Sequence, residues 1–236
     1  MNSYTISLVL HLASGTLALV CFWIAAFVRK GSRPHVLAGR VYMGAMLGVI
    51  VSGAPLAHAL LERGHPVSAL FLSFLLLLTG SACWNALRAI RDRGDRQRYF
   101  GPVYWILNAS VGLGGAGMIW LGTQAGGVVL QVFGGVGLLA AAGSVQSWRR
   151  APNDPRWWLK EHYGNIIGCG VATHIAFLGI GLRRLLPMLD GSTLTLIAWL
   201  APLVVAVIAS IRLDRRYGRP AADARVGQPS PTLPIA

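Results

Sequence analysis

The chain has 236 residues, of which 54% are hydrophobic and only 12% are charged. A soluble domain carries about twice that charged fraction, and long apolar runs recur along the whole chain, so the composition excludes an ordinary soluble domain. The net charge of +13 lies mostly in short loops between these runs, which is typical of charges that set membrane topology and meet lipid headgroups. The sequence therefore predicts a lipid bilayer as partner and no nucleic acid.

Seven apolar runs approach or exceed the roughly 20 residues that a helix needs to cross a bilayer core of about 30 Å. Backbone groups in hydrocarbon must pair within each run, which favours helices. The predicted fold class is all-α, a polytopic membrane protein with one bundle of about seven transmembrane helices within residues 1–211. The helices are expected at residues 4–28, 36–61, 67–90, 102–121, 128–148, 157–182 and 193–211.

The remaining segment, residues 212–236, is rich in Pro, Gly and Ala and is predicted to be a disordered tail. Basic residues concentrate in this tail and in the loops after the first, third and fifth helices. The positive-inside rule then places the N-terminus outside and the C-terminus in the cytoplasm. Arg183 and Arg184 depart from the pattern.

Small residues crowd the fourth and fifth predicted helices. Glycines three or four residues apart allow helix backbones to approach closely, or they clear space for a flat cofactor or a lipid-like ligand. The three cysteines, Cys21, Cys83 and Cys169, lie singly within apolar runs, where small buried core residues are the expected role.

Histidines supply the candidate sites, because ionisable residues within a membrane are costly and mark function by default. Position along each helix places His11 and His174 in the outer half, with His58 nearer the outer surface. His35 and His162 fall at the cytoplasmic boundary. Each of them has the simpler alternative of a hydrogen bond to a neighbouring helix, lipid headgroups or water.

Two inward-facing histidines from different helices can hold a haem iron or a zinc ion. The sequence predicts haem b between His11 and His174, and a second site between His35 and His162. One geometric fact opposes a simple arrangement of two haems. His162 and His174 are twelve residues apart, about 120° around an ideal helix, so they face different neighbours.

A polar layer accompanies the cytoplasmic histidines. Its tyrosines fit the aromatic belt of a membrane interface. Its asparagines either join helices by hydrogen bonds or face a ligand. The members of the layer are Tyr42, Asn85, Tyr104, Asn108, Tyr163 and Asn165.

Three motifs resemble a bacterial family of uncharacterised multi-pass membrane proteins. The motifs are His11-x-x-x-Gly15, His35-x-x-x-Gly39-Arg40-Val-Tyr42, and Trp158-Leu-Lys-Glu-His162-Tyr-Gly-Asn-Ile-Ile-Gly168 followed by Ala176-Phe177-Leu178. The resemblance covers about the first 185 residues. It implies a helical bundle with histidines as signature residues, in the bacterial cytoplasmic (inner) membrane, and supplies no activity. A looser similarity is to cytochrome-b-type proteins, in which inward histidines of a bundle bind haem.

Three functions follow from these observations. The leading hypothesis is a haem protein that transfers electrons, with a quinone or another redox protein as its partner. The second is a zinc enzyme acting on a lipid, with His11, His58 and His174 as metal ligands. Glu161 is expected at the cytoplasmic rim of the polar layer, and no Asp or Glu lies deeper within the apolar runs to act as general base, so no catalytic residue is identified. The third is a transporter or binding module for a small apolar molecule.

Overall fold

The structure is a computed structural model that describes residues 2–186, 188 and 190–217, without the side chains of residues 180–185. The described part contains helices, one 3-10 turn (Ala151–Asn153) and no strand. The helices are α1 (Ser3–Phe27), α2 (Arg33–Glu62), α3 (Pro66–Arg91), the short α4 (Arg96–Tyr99), α5 (Pro102–Ala125), α6 (Val128–Arg150), α7 (Trp157–Leu185) and α8 (Gly191–Tyr217).

Seven of these helices are long, as the sequence predicts. In the described residues, six of the seven are long and apolar enough to cross a membrane: α1, α2, α3, α5, α6 and α8. The remaining one, α7, has 29 residues, and the side chains of its last six residues, 180–185, are outside the description. The fold is therefore an all-α polytopic bundle, and α7 carries more of the predicted site residues than any other single helix: His162, Tyr163, Asn165 and His174.

Helix α8 is longer than the sequence prediction. It continues from Ile211 to Tyr217, because Asp214 near its end receives hydrogen bonds from two residues of α7, Lys160 and Tyr163. The rest of the predicted disordered tail, residues 218–236, lies outside the described residues.

Helices α3 and α7 are central to the bundle. Helix α3 packs against α2, α5 and α7, while α7 also packs against α1 and α8. The loops after α1, α3 and α6 lie at one end, which we call the basic end. There the loop residues Tyr99, Phe100 and Ala151 form one buried cluster with Tyr104 and Trp157. The basic end thus joins loops that are far apart in the chain.

Proline and a side-chain cap set where the helices begin. Pro66 and Pro102 stand at the first position of α3 and α5, where the backbone N–H has no partner within a helix. The side chain of Ser32 caps α2 by accepting a hydrogen bond from the His35 backbone N–H. Gly126 ends α5 with a φ of 65°, a left-handed conformation that favours glycine.

Glycine allows α5 and α6 to pack backbone against backbone. A Cβ added at Gly115 lies 2.6 Å from the carbonyl oxygen of Gly134, and a Cβ added at Gly134 lies 2.6 Å from that of Gly115. Neither position has room for a side chain. At this crossing the small residues serve close helix packing and do not clear space for a ligand.

We predict that Gly115→Ala destabilises the bundle by about 1–3 kcal/mol, because the methyl group overlaps the facing backbone. Gly117→Ala is the matched control on the same helix, since a Cβ there meets nothing within 4 Å, and alanine favours a helix over glycine by about 0.5–1 kcal/mol. The midpoint of thermal unfolding in mild detergent measures both. Equal midpoints for the two variants would contradict the close crossing.

Candidate functional site

His11 joins α1 to α2. Its Nδ1 lies 3.1 Å from the carbonyl oxygen of Val49 and 3.2 Å from the hydroxyl oxygen of Ser52. The ring also lies beside Gly53, where an added Cβ would be 3.4 Å from the histidine Cε1 but only 2.7 Å from Leu76 Cδ2. Glycine at this position therefore leaves space mainly for Leu76 of α3, with the His11 ring at ordinary contact distance.

His174 has different neighbours. Its Nδ1 lies 2.7 Å from the Gly170 carbonyl oxygen on its own helix, and its ring meets Phe22 and Trp23 edge to face, with centroids 5.3 and 5.4 Å away. Phe22 lies eleven residues beyond His11, about 16 Å along α1. In the described residues, no hydrogen bond or ring contact joins His11 to His174.

His35 and His162 lie at the basic end. Nδ1 of His35 is 3.1 Å from the Ala25 carbonyl oxygen, and Nδ1 of His162 is 3.2 Å from the Ala86 carbonyl oxygen. Each ring therefore faces a helix other than its own, α1 for His35 and α3 for His162, and within the described residues no hydrogen bond or ring contact joins the two rings.

One feature is common to all four of these histidines: Nδ1 contacts a backbone carbonyl. A carbonyl only accepts hydrogen bonds, so Nδ1 must carry the proton, and a neutral ring then has its lone pair on Nε2. Nε2 makes no hydrogen bond in any of the four, judged over the residues that are described, and in His174 it is also buried. Imidazoles that bind metals are held in this way, with the other ring nitrogen donating to a carbonyl or carboxylate.

His58 is separate from this set. Its Nε2 faces Glu62 of the same helix at 3.5 Å, and both side chains are more than two-thirds exposed. The described part of the chain contains no group of three or more His, Cys, Asp or Glu residues that could hold a metal. The structure thus does not gather His11, His58 and His174 into the three-ligand zinc site considered from the sequence.

The predicted polar layer is present and connects α3, α5 and α6. Asn85 donates to Asn108 at 3.4 Å, Asn108 donates to the Tyr104 carbonyl, and the Tyr104 hydroxyl donates to the Ser144 carbonyl. These contacts join helices, which is the simpler of the two roles expected for the asparagines. Tyr42 is also buried, but its hydroxyl has no hydrogen-bond partner.

The other two members of the layer lie on α7. Tyr163 donates to Asp214 of α8, and Asn165 donates to the Glu161 carbonyl one turn earlier. Tyr163 therefore fixes the end of α8, while Asn165 bonds within its own helix.

Sequence reasoning missed a buried carboxyl group. Glu161 seemed to lie at the rim of the layer, but it is only 8% exposed and accepts a 2.7 Å hydrogen bond from the Tyr99 hydroxyl. Burial and the neighbouring Glu161 raise the pKa of Tyr99 well above its ordinary value, so the phenol stays a donor. Tyr99 lies 62 residues before Glu161, and no local sequence pattern predicts the contact.

Two further groups escaped the sequence analysis. Asp92 is buried and forms ion pairs with Arg88 and Arg98, which anchors the loop after α3. The sulphur atoms of Cys83 and Cys169 lie 3.4 Å apart, although each cysteine stands alone in the sequence. Both are free thiols.

No protein family, curated protein or solved structure matches this chain. The resemblance to an uncharacterised bacterial family and the looser similarity to cytochrome-b-type proteins therefore stay predictions. The class that the fold defines is a multi-pass α-helical membrane protein.

We predict that Tyr99→Phe destabilises the basic end by about 1–3 kcal/mol, because a buried carboxyl oxygen loses its donor. Tyr4→Phe is the matched control: in the described structure its hydroxyl makes no hydrogen bond, and phenylalanine keeps the ring beneath Arg63. Thermal unfolding of the two variants in detergent compares them. A midpoint for Tyr99→Phe as high as that of the control would contradict the buried pair.

Proposed function

We propose that this membrane protein binds haem b between His35 and His162 and takes part in electron transfer. The observation that carries the proposal is the orientation of the two imidazoles. Each has its Nδ1 proton directed at a helix carbonyl, and each therefore has the Nε2 lone pair that a haem iron requires. They come from different helices, α2 and α7, near the end of each helix that lies at the basic end.

The pair His11 and His174 receives less support. Both rings have the same tautomer, but His11 is held against α2 at Val49 and His174 against α1 at Phe22 and Trp23. A haem joining them would have to displace these aromatic rings. We therefore place the proposed haem at the basic end, which the sequence ranked second.

The charges near His35 suit a haem. Haem carries two propionate groups, and guanidinium groups bind carboxylates with paired hydrogen bonds. Arg33 and Arg40 flank His35 on α2, and both are exposed. They would hold the propionates outside the hydrocarbon while the ring plane stays among the helices.

Bound haem would supply one-electron redox chemistry, and the protein would determine which partner can reach the haem to exchange electrons. A quinone in the surrounding lipid or another redox protein is the proposed partner. On α7, His162 stands between Glu161 and Tyr163 in the sequence. Polar groups beside a histidine ligand influence the basicity of its imidazole and so the reduction potential of the haem.

We predict that the full chain, purified in mild detergent from haem-replete cells, has one haem b and an intense absorption band that shifts on reduction. His35→Gln and His162→Gln should each lose the band, because an amide is a poor iron ligand. His58→Gln and His65→Gln are the controls and should retain it, because neither residue contacts the proposed pair. Absorption spectra and haem quantification measure all five proteins.

A colourless protein with normal folding would contradict the haem proposal. Loss of haem from His11→Gln or His174→Gln with retention in His35→Gln would move the site to the other pair. Elemental analysis of the same sample, with stoichiometric zinc and no iron, would instead support the zinc alternative.

The electron partner has its own test. If quinones are the partners, we expect a reduced quinone in detergent to reduce the bound haem within the mixing time of a stopped-flow experiment. A soluble redox protein as partner predicts slow reduction by quinol. The rate of the spectral shift decides between them.

A further inference from the structure

A sulphur-rich cluster lies at the centre of the bundle, where α1, α2, α3 and α7 meet. Its buried core contains three cysteines and one methionine: Cys21, Cys83, Cys169 and Met46. Cys169 is fully buried, and Met46 is 1% exposed. The cluster is separate from the histidine pair at the basic end.

Two thiols face each other in this cluster. The sulphur atoms of Cys83 on α3 and Cys169 on α7 are 3.4 Å apart, in a hydrogen-bond contact in which either can donate. Met46 of α2 brings a third sulphur to the same buried cluster. Its sulphur lies 3.5 Å from the hydroxyl oxygen of Thr173, which stands one turn after Cys169 on α7 and donates to the Cys169 carbonyl at 3.1 Å.

An unpartnered donor lies beside the thiols. The Tyr42 side chain is 2% exposed, and its hydroxyl has no hydrogen-bond partner. It belongs to the same buried cluster as Cys83 and Cys169. The Thr173 hydroxyl donates to the Cys169 carbonyl, and within the described residues the Tyr42 hydroxyl makes no hydrogen bond to Thr173. A buried donor without a partner is costly, and a negative charge on sulphur would satisfy it.

These donors have one chemical preference. Thiolate and thioether sulphur are soft ligands that select Cu(I) over hard cations. We propose that Cys83, Cys169 and Met46 form a binding site for a soft monovalent cation, Cu(I), between α2, α3 and α7.

Binding balances as a proton exchange. Cu(I) displaces one proton from each of the two thiols, the two thiolates and the Met46 thioether coordinate the ion, and two protons leave to the solvent. No electron is transferred. The complex has one net negative charge, and the Tyr42 hydroxyl donates its free proton to a thiolate sulphur.

The separation of the thiols favours a bridging ion over a disulfide. Metal–thiolate bonds of about 2.3 Å in a trigonal plane put sulphur atoms about 4 Å apart, so the thiols need to separate by roughly half an ångström. A disulfide requires them to approach to about 2.05 Å. It also requires an oxidant to reach a pair that is buried in the bundle.

The test uses the full chain in mild detergent, reduced with a phosphine and kept without oxygen. Cu(I) alone is titrated in competition with a chromogenic Cu(I) chelator. We expect one ion per chain, with affinity lowered at least about 10-fold in Cys83→Ser, Cys169→Ser and Met46→Leu, because each loses one sulphur. Cys21→Ser is the matched control, a thiol of the same cluster outside the proposed ligand set, and should bind as the unaltered chain does.

A second measurement needs no variant. X-ray absorption at the copper edge of the unaltered protein should show three sulphur neighbours and no nitrogen or oxygen. Binding that persists in both Cys83→Ser and Cys169→Ser overturns the proposal. So does a copper spectrum dominated by nitrogen, which would assign the ion to the histidines, or a reduced chain that fails to bind Cu(I).

Discussion

Hydrocarbon offers no hydrogen-bond partners, so each polar group on a membrane helix must find one within the bundle. Backbone carbonyls are the commonest acceptors there, because each has a second lone pair beyond its helical hydrogen bond. The four candidate histidines on α1, α2 and α7 all use such a carbonyl. The same constraint that folds the chain therefore also fixes the tautomer of the rings.

That tautomer connects the fold to the proposed chemistry. A histidine that served only to join helices could use either nitrogen, with its partner on any helix. Here the proton is on Nδ1 in every case, and the lone pair is left on the atom farther from the backbone. His174 illustrates the cost, since its buried Nε2 has no hydrogen-bond partner among the residues that the structure describes. His35 illustrates the benefit to the helix. It contacts the carbonyl of Ala25, which lies in the last turn of α1, where backbone carbonyls have no hydrogen-bond partner within the helix.

The sequence was sufficient for the fold because the length of an apolar run and the chemistry of lipid leave little choice. It was not sufficient for the relative height of the histidines, since His174 lies beside Phe22 and Trp23, about 16 Å along α1 from His11. It could not supply the direction in which a side chain faces across the bundle. His11 and His174 were paired by expected depth, yet they face α2 and the Phe22–Trp23 pair. Glu161 and Cys169 met their partners only through packing of helices distant in the chain, for which no local pattern exists.

The packing separates two kinds of ligand. Imidazoles with free Nε2 atoms lie together at the basic end, where charged side chains and exposed loops are near. Sulphur atoms lie at the centre of the bundle, in a buried cluster of Cys, Met, Ala and Tyr side chains. A hard or borderline cation entering from solvent meets nitrogen and oxygen first, whereas only an ion that tolerates complete loss of its hydration gains from the sulphur cluster. The two proposed sites are therefore chemically independent, and the arrangement of donors by depth would keep their ions apart.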